Sequence, residues 1–183
     1  MYQRPKNQTP TREKKPIPPL DSAALERIAL RYVERFSTTR AKLVAYLVRK
    51  MRERGWEGPE RDPAGIAEKF AELGYINDRA FGEARAVAMA RRGLGQRRVA
   101  GVLRQSGLNE DDTAAIVPGV EERAVETALA FAKRRRFGPF ALQQADAPLR
   151  EKQIAAMIRG GHGFTIARKI VNLMPGESLE TFD

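Results

Sequence analysis

Residues 40–56, RAKLVAYLVRKMRERGW, place Leu43, Tyr46 and Leu47 at i, i+3 and i+4, add Met51 a turn later, and end in Gly55-Trp56. That spacing gathers the apolar side chains on one face of an α-helix, and the glycine supplies a stop. The same triplet returns as Val99/Val102/Leu103 and as Ile154/Met157/Ile158, 56 and then 55 residues further on. Each copy is again followed by glycine (Gly107, then Gly160 and Gly161) and by a large apolar residue, Leu108 or Phe164. A helical stripe precedes each copy (25–36, 81–89, 125–131) and another follows it (66–73, 114–117, 166–173). Apolar and polar residues nowhere alternate for long enough to suggest a strand. The expected fold is therefore all-α, with three tandem three-helix units that stack into an elongated, curved body.

The breaks between stripes carry the chemistry of helix ends. Ser37 is a candidate N-cap, Gly55 and Gly74 close helices, and Asn77 or Asp78 opens the next one. Five of the 11 prolines fall in residues 1–20, together with Arg4, Lys6, Arg12, Lys14 and Lys15. Little there can pack, so 1–20 reads as a disordered basic tail. The units are then expected at 21–76, 77–118 and 119–175. The third helix of the second unit should stop at Pro118-Gly119, and 176–183 form a frayed acidic end.

Composition narrows the function. The 183-residue chain carries a net charge of +10, has no cysteine, and has His162 as its one histidine. Thiolate chemistry, disulfides and Cys- or His-cluster metal sites are thereby excluded. No stretch is apolar for long enough to cross a membrane, and residues 1–16 lack a signal core, so a soluble cytosolic protein is expected. There is no Walker sequence, no H-E-x-x-H and no G-x-S-x-G. His162, within Gly160-Gly161-His162-Gly163, reads as a solvent-exposed residue of a flexible link. The acid pairs Asp111/Asp112 and Glu121/Glu122 suit helix starts. Neither enzyme activity, a cofactor, a metal nor a small-molecule substrate is expected.

The charge is segregated. Residues 27–54 hold nine basic residues against Glu34 and Glu53, whereas 84–109 hold six arginines and no acid. Lys133, Arg134, Arg135 and Arg136 are consecutive, while 59–83 and 110–126 are net acidic. Solubility does not require such blocks, and guanidinium groups suit phosphate. Candidate contacts to a nucleic-acid backbone are Arg91, Arg92, Arg97, Arg98 and Arg104, with Arg40, Lys42, Arg49 and residues 133–136 beside them. Aromatic residues are few and fall mainly in the apolar stripes, so base stacking is not expected. Gly93-Leu94-Gly95 could form the hairpin of a helix-hairpin-helix module, but Val99 stands where that motif wants a small residue. A plain helix connection fits better, and Arg98 breaks any dinucleotide fingerprint.

The run Leu73-Gly74-Tyr75-Ile76-Asn77-Asp78, with Phe81, Gly93, Val99, Leu103 and Gly107, resembles the RecX family, whose members restrain the RecA recombinase. Ile154, Ile158, Gly161 and Phe164 resemble that family's C-terminal segment, so the likeness spans about residues 22–174. Gly74 can end one helix in the left-handed conformation, Tyr75 and Ile76 can fold onto the core, and Phe81 can supply the next helix's first core residue. The resemblance implies a non-catalytic regulator of recombination and repair. It would lodge in the groove of the RecA–DNA filament, touch RecA and single- or double-stranded DNA, and inhibit strand exchange and ATP hydrolysis. The alternative from the residues alone is an architectural protein acting on DNA directly.

Overall fold

Most helices begin where a side chain can accept a hydrogen bond from an amide of the first turn. In the computed structural model, which describes residues 18–59 and 62–177, Asp21, Thr39, Asp62, Asn77, Asn109 and Asp146 do so over 2.6–3.2 Å. They open α1 (Ser22–Val33), α2 (Arg40–Arg54), α3 (Pro63–Glu72), α4 (Asp78–Arg91), α6 (Glu110–Glu121) and α8 (Ala147–Arg159). The remaining helices among the described residues are α5 (Gln96–Gln105), α7 (Ala124–Arg135) and α9 (Phe164–Asn172), with a 3₁₀ turn at Gly138–Phe140. Among the described residues the chain is all-helical apart from one isolated bridge between Leu20 and Trp56.

Three apolar clusters divide these helices into three sets. Leu25, Leu43, Leu47 and Phe70 hold α1–α3 together, and Met89, Val99, Leu103 and Ile116 hold α4–α6. Phe131, Ile154, Met157 and Ile170 hold α7–α9. The repeated triplet thus supplies core in every unit, although the agreement fades in the third, where Ile158 and Phe164 are exposed. Leu94 packs against both the second and third clusters, and α4 touches α7. Across the first junction the buried Thr39 hydroxyl donates to the Ser106 carbonyl at 2.6 Å.

Several expectations change. Thr39, not Ser37, caps α2, whereas of the two candidates for α4 it is Asn77 that caps. Asp78 instead accepts from the Arg40 amide at 2.9 Å, tying the start of α2 to the start of α4. Helix α6 continues through Pro118 to Glu121, so the expected boundary at 118/119 falls inside it. Proline removes one amide bond, but Ile116 and Val120 on either side are buried in the unit-two core and hold the last turn in place. Glu121 and Glu122 accordingly end a helix, whereas Asp111 and Asp112 lie in its first turn. Phe36, assigned to the α1 stripe, lies beyond that helix and is 52% exposed. Ile76 is buried, but Tyr75 is 52% exposed and only leans on Phe70, their ring centres 5.5 Å apart. Gly74, Gly93 and Gly107 all take positive φ.

Residue 20 does not belong to a disordered tail. Residues 1–17 lie outside the described residues, but Leu20 is fully buried in unit one. Its amide donates to the Gly55 carbonyl at 3.0 Å, and its own carbonyl accepts from Glu57 at 2.8 Å. An apolar residue within a proline-rich run still packs when a turn presents it with free backbone groups.

Phe81 is half-buried, packed on the unit-two core with the Lys42 ammonium 4.3 Å from its ring centre. It therefore joins units one and two, but from the edge rather than the interior. A fully buried phenylalanine costs about 3–5 kcal/mol on truncation. Phe81→Ala should cost about 2 kcal/mol in urea unfolding, with the helical signal of the folded state unchanged.

Candidate nucleic-acid interface

Helix α4 ends with Arg91, and Arg92 follows as its C-cap, while α7 carries Lys133, Arg134 and Arg135 in its last turn. Cations suit those positions because the last carbonyls of a helix lack partners. The two helix ends meet. Arg134 donates from Nη1 to the Arg92 carbonyl at 3.3 Å, and Arg135 lies 5.4 Å from the centre of the Phe131 ring. Arg92, Leu94, Phe131, Arg134 and Arg135 line one open hollow of about 140 Å³ at the crease between units two and three. Arg92 and the pair Arg134–Arg135, from two segments 42 residues apart in sequence, thus share one basic hollow. Arg136 follows in the left-handed conformation, with φ +56°.

Arg91, Arg97, Arg98 and Arg104 are also exposed. Among the described residues no carboxylate reaches ion-pair distance of these four or of Arg92 and 133–136. At the crease, Arg92, Arg134 and Arg135 are close together and unpaired, so their charges add to one positive potential, which salt screens over about 10 Å.

The three unit-one candidates are not among the residues lining that hollow, and each has a partner of its own. Arg40 is held by Asp78, 3.2 Å from its Nε, and by Glu68, 3.0 Å from Nη1, and those hydrogen bonds raise its pKa further. Sequence reasoning could not find these pairs, because 38 and 28 residues separate the partners. Lys42 is packed over Phe81, and burial, with repulsion from Arg85, lowers its pKa. Arg49 shares Glu53 with Lys50.

His162 is the largest departure from expectation. It is 3% exposed, donates from Nε2 to the Gly93 carbonyl at 3.0 Å, and sets its ring edge-on to Phe131. Around it the two glycine-rich turns lie back to back: Gly95 N–H donates to Gly160 at 2.9 Å and Arg97 N–H to Gly161 at 3.2 Å. Helix α5 has no side-chain cap, so the backbone of unit three satisfies a first-turn amide of unit two. What read as a flexible link is a packed joint.

Burial holds the His162 imidazole below its ordinary pKa, with the Gly93 hydrogen bond opposing the shift. In the unfolded chain it takes up its proton near pH 6.5, while the folded form resists until lower pH. Its contribution to stability is therefore intact above pH 6.5 and is lost as pH falls towards the depressed value. His162→Gln should flatten the fall of Tm on acidification just below pH 6.5; an unchanged slope would assign that fall to carboxylates.

The chain resembles known proteins along most of its length. Regulatory protein RecX of Myxococcus xanthus (strain DK1622) is 29% identical over 160 residues, covering 82% of this chain and 86% of the relative. Regulatory protein RecX of Thermobifida fusca (strain YX) is 31% identical over 163 residues, 84% of each. A crystal structure of regulatory protein RecX shares the fold, with a TM-score of 0.59 over 81% of this chain and 72% of that one at 20% identity. No family model matches the chain.

Proposed function

This chain belongs to the RecX family, and from that premise we propose that it is a non-catalytic regulator of the RecA recombinase. It binds the RecA–DNA filament along its groove, meets the DNA backbone at the crease between units two and three, and inhibits strand exchange and ATP hydrolysis. The observation that carries this reading is the meeting of Arg92, at the end of α4, with Arg134 and Arg135, at the end of α7, in one hollow with no carboxylate among its lining residues. A long polyanion fits such a surface, and backbone contact requires no base readout. The test is RecA ATPase on single-stranded DNA with this protein substoichiometric. Inhibition is expected; unchanged ATPase with intact filaments would overturn the reading.

Residue by residue, Arg92→Gln, Arg134→Gln and Arg135→Gln together should weaken single-strand binding roughly tenfold or more at moderate salt. Three lost phosphate contacts at about 0.7 each should also make the salt dependence shallower by about 2. Glutamine keeps most of each side-chain stem, so Tm should hold. Parental affinity with a parental salt slope would move the interface elsewhere, with Arg97 and Arg98 next.

A further inference from the structure

The aromatic residues of unit one do not all disappear into its core. Tyr32 on α1 and Tyr46 on α2 each rest one side on the unit-one cluster and stack on one another, with centroids 4.2 Å apart and planes 21° apart. Phe36 continues the group, its ring centre 5.2 Å from that of Tyr32 and half of its surface in solvent. Its backbone is fixed, because Phe36 N–H donates to the Tyr32 carbonyl at 3.0 Å. Cations surround the three rings. Arg35 lies 5.7 Å from the Phe36 centroid, and Arg49 and Lys50 lie 5.4 and 5.8 Å from that of Tyr46. Glu53 is shared by Arg49 and Lys50, so it offsets only one of them. Arg35, Arg49 and Lys50 against Glu53 leave the patch an excess of two positive charges.

A single exposed phenylalanine needs no explanation. A rigid aromatic group of which one ring is half free, set among unbalanced cations, matches what single-strand binders use: a π-face for a base and charge for the flanking phosphates. An apolar protein partner would leave those cations without counter-charge, and a duplex has no base face to offer without unstacking. We infer that the Tyr32–Phe36–Tyr46 patch is a stacking subsite for an unpaired base of single-stranded nucleic acid, with Phe36 as the free platform. This site is separate from the basic crease. It deepens the proposed DNA contact and rests on that reading for its biological setting only.

The experiment uses the full chain without RecA, so that its failure and the failure of RecA regulation are read separately. Anisotropy titrations compare a short labelled oligothymidylate with an abasic strand of the same length. The parent should prefer the thymidylate by about fivefold or more, the lower end of what one stacked base contributes. Phe36→Ala should remove that preference while leaving binding to the abasic strand, binding to duplex and the salt slope as in the parent. Phe36→Trp should keep the preference, and Phe36→Leu should lose it. Equal affinity of the parent for both strands, or a preference that survives Phe36→Ala, would overturn the inference. In a separate sedimentation assay with RecA filaments, loss of association in Phe36→Ala without any base preference in the parent would also overturn it and make the patch a protein contact.

Discussion

Gly161→Ala should lower stability by about 2–5 kcal/mol, a fall in Tm on the order of 10 °C. Gly161 has φ +97°, where a side chain adds about 1–2 kcal/mol of strain. A Cβ placed there would sit 2.5 Å from the Arg98 nitrogen and 2.6 Å from the Gly95 carbonyl oxygen, both backbone atoms that cannot step aside. The turns must part, which breaks the hydrogen bonds of Gly95 and Arg97 to unit three and opens the pocket around His162. Gly163→Ala is the matched control. It lies two residues away with φ −68°, and nothing stands within 4 Å of an added Cβ, so the change should stay within about 1 kcal/mol. Equal behaviour of the two variants in calorimetry would mean that the joint is looser than its geometry shows. DNA affinity should fall with Gly161→Ala even though no arginine is touched, because the crease exists only while units two and three are docked.

Leu20→Ala should cost about 2–5 kcal/mol, as expected for a leucine with no exposed surface. The loss has two parts: the missing methyl groups leave a void in the unit-one cluster, and the bridge to the Gly55–Glu57 turn loses its anchor. Leu20→Met, which keeps the volume, should cost less than about 1.5 kcal/mol. Urea unfolding of both variants checks this, and a small, similar effect for both would show that 18–20 only rest on the surface. Deletion of the whole segment 1–20, expected from composition to be harmless, should carry the Leu20 penalty.

Helices and their tandem order were legible because both are written locally. Apolar spacing at i, i+3 and i+4 acts within two turns, and Asn77, Asn109 and Asp146 cap through side chains that reach three residues along the chain. The segregation of charge was equally plain, since no acid interrupts residues 84–109. Which of those charges remain available was not legible. Arg40 and Arg91 look alike in sequence, yet the first is bound by carboxylates 28 and 38 residues away, while among the described residues no carboxylate pairs with the second.

The glycine-rich turns show the same division most clearly. From sequence alone, Gly93-Leu94-Gly95 and Gly160-Gly161-His162-Gly163 are two links between helices, and that much holds. Only the tertiary structure presses them together and buries the one histidine of the chain against a carbonyl 69 residues away. It likewise draws Leu20 into the core and leaves Phe36 outside it, reversing what their neighbours in sequence suggest. The physical reason is range. Periodicity and capping are decided by residues within a turn or two, so the sequence determined the helices, their threefold repetition and the distribution of charge. Burial, and the pairing of a charge or an amide, depend on what packs opposite, and that is known only once the units have docked.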